Sequence, residues 1–163
     1  MNLIVLGIDK IDPDKFRTIK NIPTRNKPKG GLWTSPEDSE WGWKDFVINE
    51  KFQESKYLGK VTLITLKSDA KIYKIQNKED YLKCPLRDRK GDISFELDTI
   101  YSKLRYIDFE KLSEEYDALW VTREALDVLG TFGTLDDFEL GPLCGWDVET
   151  VLLFNLNCIE SHA

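Results

Sequence analysis

Apolar residues in this chain come in short runs, separated by polar stretches that carry proline and glycine. Residues 2–8 (NLIVLGI) are branched, apolar and brief, which predicts a buried strand. Residues 61–66 (VTLITL) set branched residues in alternation and predict another. So do residues 71–75 (KIYKI), 117–122 (DALWVT) and 149–155 (ETVLLFN). Residues 32–35 (LWTS) predict a short strand stopped by Pro36. Helical spacing appears elsewhere. Asp12-Pro13 caps a predicted helix over 13–21, with Phe16 and Ile19 three apart on one face. Trp43, Phe46, Val47 and Phe52 predict a helix within 41–52. Asn77 caps one over 78–83. Leu97, Ile100, Tyr101 and Leu104 stand at i, i+3, i+4 and i+7 and predict a helix over 94–106. Residues 108–116 read as a capped helix, and residues 122–129 as one ended by Gly130. Residues 22–31 (IPTRNKPKGG), 84–95 and 130–145 are rich in turn formers and read as loops.

The resulting order is not a regular strand–helix alternation. No GxGxxG follows the first strand and no GxxxxGK[ST] occurs, which excludes dinucleotide-binding and phosphate-loop folds of those types. The expected class is α+β, a mixed and mostly antiparallel sheet with short helices. The 163 residues suit a single domain over 1–163.

Charge and residue inventory narrow the chemistry. There are 23 Lys and Arg against 29 Asp and Glu, a net charge of −6. That balance disfavours general binding to nucleic-acid backbones. A hydrophobic share of 41% with five tryptophans is enough for a core. The single histidine, His162, excludes Ser-His-Asp and Cys-His catalysis and a histidine-rich zinc site within one chain. Cys84, Cys144 and Cys158 lack CxxC spacing, and reduced thiols in a cytoplasmic protein are expected. Cys144 reads as a small buried thiol. No apolar run reaches the ~18 residues of a membrane span, and residues 1–10 lack the pattern of a signal peptide.

Two stretches could carry chemistry. In PKGGLWTSP (28–36), Gly30 and Gly31 could admit a ligand to the backbone, Trp33 could stack on a ring, and Thr34 and Ser35 could donate hydrogen bonds. The alternative is a buried tryptophan in a strand closed by a tight turn. In GWDVETVLLFN (145–155), Asp147 and Glu149 are two apart, so an extended backbone puts both on one face. Such acids either line a cleft or face solvent on an edge strand. Arg25, Lys27 and Lys29 make the preceding loop cationic. Asp127, Asp136, Asp137 and Glu139 lack the DxDxDG pattern of a calcium loop and read as solvated; no metal is expected. Arg87, Asp88, Arg89 and Lys90 read as a solvated turn.

These two motifs resemble the ADP-ribosyltransferase fold: a short opening strand, a glycine-rich approach to a strand of Trp and hydroxyl residues, and a late strand running Glu149, Val151, Leu152, Leu153, Phe154, Asn155, Ile159. GGLWTSP and GWDVE are also similar to segments of small proteins of bacteria and their phages. The resemblance implies NAD as cofactor. Glu149 would hold the nicotinamide ribose 2′-hydroxyl, Ser35 or Thr34 would supply the second-strand hydroxyl, and Trp33 would lie near the nicotinamide. Asp147, Gly30 and Gly31 would complete the site. The family usually places an arginine or histidine on the first strand; residues 2–9 contain neither, and Arg25 is the expected substitute for diphosphate. NAD would then lie in a cleft between the GGLWTS strand and the Glu149 strand.

Two other functions fit the same residues. One is a non-catalytic acidic protein from a mobile element, inhibiting or binding a basic site on a host protein. The other is a glycan or nucleotide hydrolase using Asp147 and Glu149.

Overall fold

The computed structural model describes residues 1–88, 105–130 and 141–163. Its strands are β1 (Asn2–Leu6), β2 (Lys20–Ile22), β3 (Arg25–Lys29), β4 (Leu32–Pro36), β5 (Val61–Leu66), β6 (Ile72–Ile75), β7 (Leu86–Asp88), β8 (Arg105–Ile107), β9 (Ala118–Val121), β10 (Thr150–Leu153) and β11 (Ile159–His162). The helices are α1 (Trp43–Asn49), α2 (Glu54–Tyr57), α3 (Lys78–Lys83), α4 (Phe109–Glu115) and α5 (Arg123–Leu129). Seven strands make one sheet in the order β11-β5-β1-β4-β10-β9-β6. Every pairing in it is antiparallel except β6 with β9. The class is therefore α+β with a mixed, mostly antiparallel sheet.

Strand alternation sends successive side chains to opposite faces, and each face owns a core. One face carries Ile75, Leu119, Val121 and Leu152, covered by Tyr81 of α3, Phe109 and Leu112 of α4, Ala125 and Leu129 of α5, and Trp146. The other carries Leu3, Val5, Ile64, Leu66, Ala118, Val151 and Leu153, joined by Ile11 and Cys158. A buried leucine or isoleucine contributes about 1.5–3 kcal/mol by leaving water, so both faces contribute to holding the sheet. The caps read from sequence are present: Asn77, Asp108 and Thr122 accept from the backbone N–H of Asp80, Lys111 and Ala125.

Several expectations change. The helix over 13–21 shrinks to a single 3-10 turn at Pro13–Lys15, because the chain turns extended at Phe16 and runs on into β2. Residues 22–31 contain a strand: β2 and β3 pair as a hairpin. Proline is compatible with it because only two strands take part and most of the ladder is open. Leu86–Asp88 lies in a predicted loop yet pairs with Arg105–Ile107, at the end of the predicted 94–106 helix. The rest of that helix, with Arg89 and Lys90, lies outside the described residues, as do Asp136, Asp137 and Glu139. The strand β11 was not foreseen. Arg87 is no solvated turn residue. Its guanidinium donates to the carbonyls of Ile107, Ile22 and Arg25 and so ties β8 to the hairpin.

Asn26 is the other tie. It is 6% exposed. Its amide donates to the Tyr81 hydroxyl at 2.9 Å and the Pro142 carbonyl at 2.6 Å, and its side-chain oxygen accepts from Ile107 N–H at 2.8 Å. Its own carbonyl accepts from the Trp146 indole at 2.7 Å.

Candidate functional site

Glu149 sits one residue before β10. Its backbone N–H donates to the Trp41 carbonyl (3.0 Å), and its carbonyl accepts from the Ser35 hydroxyl (2.9 Å). The carboxylate is held separately. Oε2 accepts from the Ser39 hydroxyl at 2.7 Å and Oε1 from the Trp120 indole N–H at 2.8 Å. The residue is 9% exposed. Among the described residues, no cationic side chain pairs with it. Burying a carboxylate without a counter-ion is costly, and the two donors offset part of that cost. A carboxylate offers about four lone-pair positions, so acceptor capacity remains.

One further indole, Trp41, contacts the same segment, and a cation stands beside each of the two indoles. Trp41 donates from its indole to the Asp147 carbonyl at 2.9 Å and from its backbone to Ser39 Oγ at 3.2 Å. Arg123, at the start of α5, lies 6.0 Å from the Trp41 ring, and its Nε pairs with Asp127. Lys74 of β6 stands 4.1 Å from the centre of the Trp120 ring. A half-buried ring with a cation beside it is a common way to present an aromatic face and a positive charge together.

The residues singled out from sequence distribute unevenly. Glu149 and Ser35 are brought together, through the Glu149 carbonyl and not through its carboxylate. Ser35 is fully buried, and its oxygen also accepts from Trp43 N–H, so it fastens β4 to β10 and to the first turn of α1. Thr34 is likewise buried and donates to the Val151 carbonyl at 2.5 Å.

Trp33 belongs to the helix-covered face, where it packs at a tilt against Trp146, ring centres 5.2 Å apart, with Lys27 5.1 Å from its ring. Val151 and Trp120, the neighbours of the Glu149 carboxylate, belong to the other face. The expected cleft between the GGLWTS strand and the Glu149 strand is therefore corrected. β4 and β10 are hydrogen-bonded neighbours, with Thr34 opposite Val151. Paired strands lie about 4.8 Å apart and leave no room for a ligand.

Gly30 and Gly31 are occupied by the chain itself. A Cβ on Gly30 would stand 2.3 Å from the Thr18 carbonyl, and one on Gly31 2.7 Å from Leu152 Cδ1. Both have positive φ. They allow close chain packing on the side a Cβ would occupy. Arg25 is exposed on the β2–β3 hairpin, with its carbonyl held by Arg87. No contact among the described residues links it to Glu149. Asp147 is exposed while Glu149 is buried, so the two carboxylates do not act as a pair. Cys144 is exposed, contrary to expectation; Cys84 and Cys158 are the buried thiols. Among the described residues, no group of three or more His, Cys, Asp or Glu could hold a metal ion. No helix among them is long and apolar enough to cross a membrane.

An open groove of about 770 Å³ lies at the far end of the same strands, beside Gly7, Gly31 and Leu156. Lys60 with Asp9 and Lys15 with Asp12 pair along its rim. Four residues of β10 separate that end from Glu149, a span of roughly 13 Å.

Ser39, Trp41, Trp120, Lys74 and Arg123 are the neighbours that sequence reasoning missed. A faint signal existed for the tryptophans, since a buried indole N–H requires an acceptor. No protein-family model, curated protein or solved structure matches the chain.

Proposed function

We propose that the protein is an ADP-ribosyltransferase-like enzyme that binds NAD and cleaves its nicotinamide–ribose bond, with Glu149 as the catalytic residue. One observation carries the reading: a nearly buried carboxylate, held by two neutral donors, pairs with no cation among the described residues and lies beside Trp41 and Trp120, whose rings carry Arg123 and Lys74. In a dissociative cleavage, positive charge develops at C1′ of the ribose as nicotinamide leaves. An unneutralised, fixed carboxylate is suited to stabilise that charge and to accept a hydrogen bond from the 2′-hydroxyl. The indole faces suit the planar rings of the dinucleotide. Arg123 and Lys74 take the place expected for Arg25 in meeting the diphosphate.

The test is nicotinamide release. Electrostatic stabilisation of this kind contributes ~3–4 kcal/mol, so Glu149→Gln is expected to fold normally and lose roughly 10²–10³-fold in turnover. Equal release by the two proteins removes Glu149 from the mechanism.

A second reading rests on a different observation. Val61 and Leu63 of β5 are 45% and 44% exposed, as are Ile48 and Phe52 at 47% and 42%. The partners of Val61 and Leu63 across the strand pair are Leu6 and Ile4. Those two residues line an apolar pocket of about 180 Å³ with Trp33 and Trp43. Apolar surface of this kind favours a protein partner, and a non-catalytic binder of a host protein fits it. Melting with and without NAD separates the readings: saturation at 100 times the dissociation constant adds ~2.7 kcal/mol to an NAD-binding protein and nothing to the binder.

A further inference from the structure

Glu149 is gripped by two donors of different origin. Ser39 belongs to the loop before α1. Trp120 belongs to β9, inside the sheet. The β9–β10 register sets Trp120 opposite Val151 and Val121 opposite Thr150. That places Trp120 diagonally from Glu149 on the same face, within the reach of a long side chain. The β6–β9 register sets Lys74 beside Trp120, and the ammonium stands 4.1 Å from the ring centre. A cation over an indole draws electron density toward the ring face and leaves the N–H a better donor. The chain Lys74–Trp120–Glu149 thus brings positive influence to the carboxylate without an ion pair, which would neutralise it.

A purely structural role would not need this arrangement. A buried charge is poorer for stability than an apolar residue of the same size, and a phenylalanine at 120 would fill most of the same space. What the indole adds over a phenylalanine is the N–H that Glu149 accepts.

We propose that Trp120 is a positioning residue. Its indole N–H fixes Oε1 of Glu149, so that the remaining acceptor capacity of the carboxylate is presented to the ribose in one geometry, and Lys74 strengthens that bond. This rests on the reading of Glu149 as the catalytic carboxylate.

The experiment compares Trp120→Phe, Glu149→Gln and wild type in steady-state nicotinamide release, with melting temperatures measured alongside. Trp120→Phe is expected to melt near the wild type and keep its KM for NAD, while kcat falls about 10- to 100-fold, the worth of one hydrogen bond to a charged group. An unchanged kcat in Trp120→Phe, with turnover lost in Glu149→Gln, overturns the role of Trp120 and leaves Glu149 in place. Turnover retained by Glu149→Gln overturns both. If Trp120→Phe does not fold, the indole N–H resonance of Trp120 decides. A resonance that moves in Glu149→Gln supports the contact, and one that does not move overturns the proposal.

Discussion

Asn26 and Glu149 are both buried polar side chains that join distant parts of the chain, yet they are built differently. Asn26 is neutral, and both its amide nitrogen and its oxygen are engaged, with Tyr81, Pro142 and Ile107 as partners. Both amide hydrogens are spent inside the protein, and the oxygen is already tied to the backbone. Glu149 is charged, holds two neutral donors and keeps acceptor capacity in reserve. A saturated network specifies a fold; an unsaturated carboxylate retains something to offer a ligand. The contrast separates a structural polar group from a candidate functional one without reference to any relative.

The sharpest way to break the comparison is to substitute both. Asn26→Leu leaves the Ile107 N–H and the Pro142 carbonyl buried without partners, and should cost about 2–5 kcal/mol in urea unfolding. Glu149→Gln keeps one acceptor and removes an unpaired buried charge, so it should change stability by no more than about 1 kcal/mol. Equal losses from the two substitutions would erase the distinction.

A smaller effect sharpens it through pH. Asp117 bridges the start of β6 and the end of β10: Oδ1 accepts from Asn155 and Oδ2 from Lys71 N–H. The Asn155 hydrogen bond is the main reason its carboxyl is held below the usual range. Its stabilising contribution is therefore full above the unfolded-state carboxyl pKa, near 3.9, and is lost as pH falls through the lower folded value. The urea midpoint should drop as the solution is acidified below that point. Asp117→Asn should lower the midpoint at neutral pH and flatten the acid limb.

The smallest effect concerns thiols. Burial pushes Cys84 up to about 12 and Cys158 to about 11, whereas Cys144 is exposed. Native protein at pH 8 should react rapidly with a thiol reagent at Cys144 alone, as peptide mapping would show, and at all three cysteines in denaturant. Rapid native labelling of Cys84 would place the α3 end of the core in a looser state than its packing implies.

The local physics of the fold was readable in advance where one residue decides the outcome. Asn77, Asp108 and Thr122 cap because each has a short acceptor placed before a helical run. Val61–Leu66 alternates and is a strand over those same residues. The β2–β3 and β7–β8 pairs were unreadable because each is a few residues long and held by Arg87 and Asn26, whose partners lie far along the chain. The site was half legible for the same reason. Glu149 and Ser35 stood out by motif, but the face each side chain takes follows from strand register, which moves every side chain to the other face when it slips by one residue. That is why Trp33 was expected beside the carboxylate and Trp120 was overlooked.

The tight seat of Gly31 has a mechanical consequence. A Cβ at this position would run into Ile19, at the foot of the hairpin, and into Leu152 and Leu153 of β10, so any larger residue there would push the hairpin away from the central sheet. Gly31→Ala should therefore be felt in β10 as well as in the hairpin. The missing side chain is what lets the two layers of chain meet there.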